Sequence, residues 1–440
     1  MLRRVLLLFF VCAFVQNAFS EDKLNHYKLE NGLEVLLVQD DKTDLVVHSI
    51  FYKVGGLQDF YGRAGLAHFL EHLMFNSTKN YKKGELVDFF DRNGMVYNAA
   101  TGHELTFYYE FGQKDLLEDL MKFESDRMKS LILNDEEIDK EREIIKEERR
   151  MRVDNVPEER FLEKLSSIFY DNDFYGVSLI GSMNDLHTTL NQDFRNFYHK
   201  YYNPNNAILV IVGNFDSDKT KTLIEKYYGV LKNDDVDLRN YYKNLDPEMP
   251  AKTKKLFYKE KDQNLTQSNY YYMTIAPSFK SESFRDGFVA EFLAYVIENG
   301  DMTLQKKLVE DMKIASSVSI QYNSFGYHNS PFLIKITPVD ESKIEEIKNF
   351  VNDFFKNQNG IISEHELERL KNLYMGQHVY MMDNLHSKAM VYGQAMVVGM
   401  NPEIISGVRK YIDEIKVSDI NAMYKKVFVE NPSIVGILSK

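Results

Sequence analysis

Ala67-His68-Phe69-Leu70-Glu71-His72 is echoed 223 positions later by Ala290-Glu291-Phe292-Leu293-Ala294-Tyr295, which keeps the apolar positions and lacks both histidines and the glutamate. A second echo, offset by 226, pairs Asp193-Phe194-Arg195-Asn196-Phe197-Tyr198-His199-Lys200 with Asp419-Ile420-Asn421-Ala422-Met423-Tyr424-Lys425-Lys426. Each copy runs into Asn-Pro and an apolar stretch: Asn203-Pro204 before 207–212, and Asn431-Pro432 before 433–438. Similarity at a long, nearly constant offset is the mark of a repeated structural unit. Two homologous modules are therefore expected, with chemistry kept only in the first.

Around these echoes, strands and helices mix without regular alternation. Residues 27–38 read as two short strands about the Asn31-Gly32 turn, and 45–54 as a third that ends at Gly55-Gly56. Helical period dominates over 63–75 and again near 83–91, while 97–111, rich in Thr, Phe and Tyr, reads as extended. Asn134 with Glu137 three residues on is a helix-start signature, opening a charged helix to about Arg152. The expected fold is α+β: two homologous modules, each an antiparallel sheet flanked by helices.

Composition bounds the function. At 440 residues, 44% hydrophobic and 27% charged, the chain has the profile of a folded protein too long for one ordinary core. Residues 1–20 stand apart: Arg3 and Arg4, an apolar run of about eleven residues, then Ala18-Phe19-Ser20 before Glu21-Asp22. That is the layout of a cleavable export signal, too short in its apolar part to span a bilayer as a helix. An exported protein, periplasmic or secreted and without a stable membrane anchor, is expected. The sole cysteine, Cys12, falls inside this segment, so a mature chain holds any metal with histidine and carboxylate alone. Removing the two arginines takes the net charge from −12 to −14, a balance that disfavours nucleic acid and is compatible with basic peptides.

Residues four apart on a helix share a face, so the imidazoles of His68 and His72 can converge on one zinc ion. Glu71 lies on that same face, placed to accept a proton from water activated at the ion rather than to bind it. A catalytic zinc needs a third protein ligand and an open position. No third histidine is near. Glu141 and Glu148 share a helix face two turns apart, yet the run from Glu141 to Arg150 holds four glutamates and on spacing alone reads as a solvated face.

His68-Phe69-Leu70-Glu71-His72 resembles the inverted zinc motif of the pitrilysin-type (M16) metallopeptidases, whose third ligand is a glutamate roughly 76 residues past the second histidine. Glu148 follows His72 by 76. The resemblance implies Glu148 as ligand, Glu71 as general base and Glu141 as the carboxylate supporting a ligand. Asn98-Ala99-Ala100-Thr101 with Tyr108-Tyr109 resembles the family's edge strand, implying that Asn98, Ala99 and Ala100 bind substrate main chain. Asp154-Asn155-Val156-Pro157, Tyr175-Gly176, Ile180-Gly181 and Tyr202-Asn203-Pro204-Asn205-Asn206-Ala207 also match in order. The implied organisation is a signal over 1–20, a catalytic zinc-binding module over 21–235, a linker over 236–255, and a degenerate second module over 256–440.

One departure matters. Family members whose second half assists catalysis carry an Arg and a Tyr seven residues apart. This chain has Val309 and Ser316 there. In this it resembles the zinc-bearing subunit of the processing-peptidase-like two-subunit members, which implies a homologous partner without a zinc motif; a homodimer is the other assembly considered. The implied function is a zinc endopeptidase acting on peptides or small unfolded proteins. The alternative is a non-catalytic or structural subunit, a peptide-binding protein of such an assembly. His103 is expected on an exposed loop, and His386 and Tyr392 to pack or to face solvent.

Overall fold

The computed structural model describes residues 23–440 apart from 60–61, 172–173, 235–254, 302 and 357–360. The expected signal segment lies outside the described residues, as does the expected linker except for Lys255, which begins a strand.

Two sheets organise the chain. The first has the order β1-β2-β6-β3-β5-β4, from β1 (Lys23–Lys28), β2 (Glu34–Gln39), β3 (Leu45–Tyr52), β4 (Val96–Thr101), β5 (Thr106–Gln113) and β6 (Ala207–Gly213). The second has the order β7-β11-β8-β10-β9, from β7 (Lys255–Lys261), β8 (Asn269–Ala276), β9 (Ala315–Tyr322), β10 (Ser330–Pro338) and β11 (Ser433–Ser439). Strand for strand the second repeats the first without β1. Register repeats as well: Val47 faces Phe111 across β3 and β5, and Tyr270 faces Ile336 across β8 and β10, offsets of 223 and 225. Helices flank both sheets, which is the α+β two-module architecture. Each sheet is antiparallel except for one pair, β2 with β6 and β7 with β11, which runs parallel. A parallel pair needs a long crossover, and here the rest of each module supplies it.

The first sheet is covered on both faces, which explains why β6 (AILVIVG) is apolar without alternation. Leu209 and Ile211 face the module's own helices, together with Val35, Leu37, Val46 and Ile50. Ile208, Val210 and Val212 face the other way, into a core shared with Ala389, Tyr392 and Met396 of the helix Leu385–Val397, which belongs to the second module. The exchange is reciprocal. Phe161, Leu165 and Phe169 of the first module's helix Pro157–Phe169 pack on Tyr271, Met273 and Ile434 of the second sheet. Two glycines mark the closest approaches: a Cβ at Gly393 would sit 2.1 Å from the Phe51 ring, and one at Gly436 would sit 2.9 Å from Phe161 and Leu165.

Each fully buried large apolar side chain contributes about 1.5–3 kcal/mol, so the exchanged helices outweigh exposed ion pairs across the boundary such as Lys164–Glu260, worth about 0–1 kcal/mol. Lys388 and Asp40, 3.1 Å apart and both buried, form a deeply sequestered pair across the module boundary. Desolvation offsets most of its attraction, so the apolar burial around it does more to hold the helix Leu385–Val397 on the sheet. Among the described residues no helix is long and apolar enough to cross a membrane.

Candidate metal centre

The motif lies on the helix Leu66–Leu73. Leu66, Phe69, Leu70 and Leu73, spaced i, i+3, i+4, i+7, are buried against the sheet and its neighbours, with the Phe69 ring 4.1 Å from that of Phe194. The same period places His68, Glu71 and His72 together on the opposite stripe. That stripe faces the helix Asp135–Arg149, whose N-cap Asn134 accepts from the Glu137 amide at 2.9 Å. The expected helix to Arg152 stops at Arg149 in α form and continues as a π turn, Arg150–Asp154.

The four glutamates of the charged run divide by face. Glu143 and Glu147 point to solvent and pair with Lys146 and Arg150. Glu141 and Glu148, above the buried Ile138 and Ile145, turn toward the histidines. Glu148 Oε2 is 3.4 Å from His72 Nε2 and 3.8 Å from His68 Nε2. The ring centroids of the two histidines are 4.8 Å apart. Ligands about 2.0–2.2 Å from a tetrahedral zinc lie about 3.3–3.6 Å from one another, so these donors already stand close to bonding separation. Glu148 Oε2 is buried without a hydrogen-bond partner, so the oxygen nearest both imidazoles has a lone pair that could serve an ion. Among the described residues His68, His72 and Glu148 are the one group of three placed to hold a metal.

Glu141 Oε1 lies 3.0 Å from His72 Nδ1. With a proton on Nδ1 donated to Glu141, the lone pair on Nε2 is free for an ion. Glu71 stands outside the donor group and accepts from the Thr101 hydroxyl at the end of β4. Burial raises its pKa. Burial likewise lowers His68 to about 4, with repulsion from His72 adding to it. For His72 burial is outweighed by the pull of the two carboxylates beside it, Glu141 and Glu148, and its pKa rises to about 9. A raised histidine stabilises the metal-free fold fully below about 6.5, and that contribution is lost as pH climbs through about 9. Zinc must displace this proton. Uptake at pH 7.5 is therefore expected to release close to one proton, with apparent affinity rising about tenfold per pH unit toward pH 9. Calorimetric titration in buffers of different ionisation enthalpy measures the release, and uptake without it would contradict the protonated His72.

β4 is the free edge of the first sheet, paired only with β5. Asn98 and Ala100 are exposed and Ala99 half-buried, with the Ala99 amide donating to Asn98 Oδ1 at 2.9 Å. Beside His68 and Thr101 opens a groove of about 700 Å³ whose walls include His103, Arg152, Leu162 and Tyr175.

His103 departs from its expected exposed loop. Its ring packs 5.2 Å from Tyr175, and burial lowers its pKa to about 4. The cause is tertiary: the turn after β4 folds under the segment around Tyr175, where Glu104 accepts from the Tyr175 hydroxyl at 2.6 Å. Tyr392 is fully buried with its hydroxyl 2.9 Å from Ser406 Oγ, and His386 lies against Tyr109 at 4.3 Å.

Several neighbours escaped sequence reasoning. Arg152 Nη1 lies 2.8 Å from Glu148 Oε1, an ion pair that its i, i+4 spacing could have flagged. Lys83, 3.7 Å from Glu141, and Thr101 reach the site only through tertiary folding. In the second module, Glu291 stands at the position of His68 and is hydrogen-bonded by Tyr374 and Ser324. Tyr295, at the position of His72, packs its ring 5.3 Å from Tyr374. Aromatic packing and hydroxyls have replaced the donors.

Comparison with known proteins follows the same division of the chain. The family model described as Insulinase (Peptidase family M16) matches residues 34–182, and that described as Peptidase M16 inactive domain matches residues 190–374. The zinc protease PqqE of Helicobacter pylori is 29% identical over 413 residues, covering 92% of this chain and 90% of that protein. The crystal structure of a protease from Helicobacter pylori superposes with a TM-score of 0.85 at 25% identity, over 96% of this chain and 100% of the other. The periplasmic protease PqqL from Escherichia coli shares the fold, with a TM-score of 0.78 at 19% identity over 95% of this chain and 48% of that one. With both models matched in order along a duplicated α+β fold, the chain belongs to the M16 peptidase family.

Proposed function

We propose that this chain is an exported, zinc-dependent endopeptidase that hydrolyses peptides or small unfolded proteins. The observation that carries this is the convergence of His68, His72 and Glu148 with Glu71 beside them and outside the donor group. The names of the relatives, zinc protease and periplasmic protease, support it.

His68, His72 and Glu148 would hold the ion, and zinc bound there supplies Lewis-acid polarisation of water and of a peptide carbonyl. Glu71 takes the proton of the attacking water and returns it to the leaving amine. Thr101 holds the Glu71 carboxyl on the side of β4, and Glu141 keeps His72 in the tautomer that offers Nε2. Asn98, Ala99 and Ala100 on the free edge receive the substrate as an added strand, with the Ala99 amide leaving Asn98 to pair with it. An acidic chain favours basic peptides.

At the positions of the assisting Arg and Tyr, Val309 packs half-buried against the second module's core and the Ser316 hydroxyl donates to the Thr337 carbonyl. A homologous partner without the zinc motif supplies the missing pair. A second copy of this chain would not, because it lacks the same residues. In a non-catalytic peptide-binding subunit Glu71 would have no task.

The test is metal content and hydrolysis of unstructured peptides by the mature chain, alone and mixed with a homologue that carries the Arg/Tyr pair and no zinc motif. Stoichiometric zinc, weak hydrolysis alone and strong hydrolysis in the mixture are expected. Zinc without hydrolysis in either state would leave the peptide-binding alternative, and absence of zinc would defeat both.

A further inference from the structure

The motif helix is only eight residues long, and its N-cap is Gly65, at φ +92° and without a side chain to cap with. Two turns of helix do not hold themselves in water, and the first amides need partners. Asp59 supplies them from the preceding turn. Its Oδ2 accepts from the Gly65 amide at 2.6 Å and its Oδ1 from the Ala67 amide at 3.0 Å. The carboxylate is buried, with the residue 6% exposed.

Against the other side of this helix start lies the backbone at Gly181. A Cβ on Gly181 would stand 2.2 Å from the Ala64 carbonyl, and one on Gly65 would stand 2.7 Å from the Ile180 carbonyl, so the two segments meet backbone to backbone. Both glycines have positive φ, at +92° and +77°. The Gly181 carbonyl is in turn held by Arg149, the residue after Glu148, through Nη1 at 2.6 Å. Arg149 is anchored by a two-pronged pair with Glu163, both contacts at 2.7 Å, and by Asp154 at 3.1 Å. Its side chain is 8% exposed. A continuous set of contacts, hydrogen bonds at both ends and close backbone packing between Gly181 and Gly65 in the middle, thus runs from the neighbour of one donor residue to the start of the helix bearing the other two.

We propose that Asp59 and Arg149 are positioning residues of the metal centre: Asp59 sets the start of the motif helix, and Arg149 through Gly181 sets that start against the helix carrying Glu148. The physical ground is tolerance. A constellation of this kind works within about 0.5 Å, and a two-turn helix whose N-cap, Gly65, has no side-chain hydrogen bond of its own depends on an anchored start to hold His68 to it. This rests on the zinc site proposed above.

The test uses Asp59→Asn and Arg149→Lys in the full mature chain. Zinc affinity is measured by competition with a chromogenic chelator, coordination geometry by the absorption spectrum of the cobalt-loaded protein, and Tm on the metal-free protein. Val351→Ala, in the buried core of the second module, is the control for stability loss alone. Both variants are expected to bind zinc about 10–100-fold more weakly with a changed cobalt spectrum, while the control binds as the parent does at a lowered Tm. Parental affinity and spectrum in the variants, or losses no larger than the control's, overturn the proposal. Should Asp59→Asn not fold, Arg149→Lys decides it. A parent that takes up no zinc defeats the zinc site itself, an outcome distinct from a loaded parent with equally loaded variants.

Discussion

Glu71→Gln is expected to leave the chain loaded with zinc and to lower peptide hydrolysis by about 10²–10⁴-fold, the contribution of a general base. The substitution keeps shape and volume, and the Thr101 hydroxyl retains an acceptor in the amide oxygen. The donors His68, His72 and Glu148 are untouched. What disappears is a basic oxygen on the stripe that carries the two histidines, in a site where burial raises the pKa of Glu71. The loss should fall on kcat with little change in KM, because Glu71 has no part in binding the peptide main chain. Metal analysis beside steady-state kinetics, on the chain alone and with the proposed partner, decides it. Equal turnover by parent and variant would remove Glu71 from the mechanism and with it the argument against a peptide-binding subunit.

How much of this was legible in sequence depends on how local each feature is. The duplication was, because a repeated apolar period survives when the chemistry is lost: Ala290 and Phe292 sit where Ala67 and Phe69 sit, and the strand registers repeat at nearly the same offset. The motif helix was, since i, i+3, i+4 places His68, Glu71 and His72 on one face whatever surrounds them. The choice among four glutamates was not. Glu148 and Glu147 differ only in which way a helix points, and that is set by Ile138 and Ile145 packing into the core. Only resemblance singled out Glu148. Contacts that span the chain were invisible, among them Thr101 on Glu71, Asp59 on the helix start and the exchange of helices between modules. His103 was misjudged for the same reason: its local sequence is that of a turn, and its burial comes from the distant Tyr175.

Glu148→Gln is expected to weaken zinc binding by more than the roughly 10–100-fold that loss of a ligand's supporting group costs, and to abolish hydrolysis at stoichiometric metal. An amide is a poorer zinc donor than a carboxylate and brings no charge to balance the ion. Its loss also leaves Arg152, now 2.8 Å from Glu148 Oε1, as an uncompensated cation beside the site. Glu141→Gln should do less. It disturbs the contact to His72 Nδ1 at 3.0 Å without removing a donor, so affinity falls within that 10–100-fold range and excess zinc restores turnover. Glu147→Gln, on the solvent face beside Arg150, should bind metal as the parent does. The order of the three variants is the decisive quantity, since each removes one negative charge from the same helix and a general electrostatic effect would weaken all alike. Chelator competition on the three proteins gives it directly. If Glu147→Gln loses zinc while Glu148→Gln keeps it, the helix is turned the other way and the third donor has been misassigned.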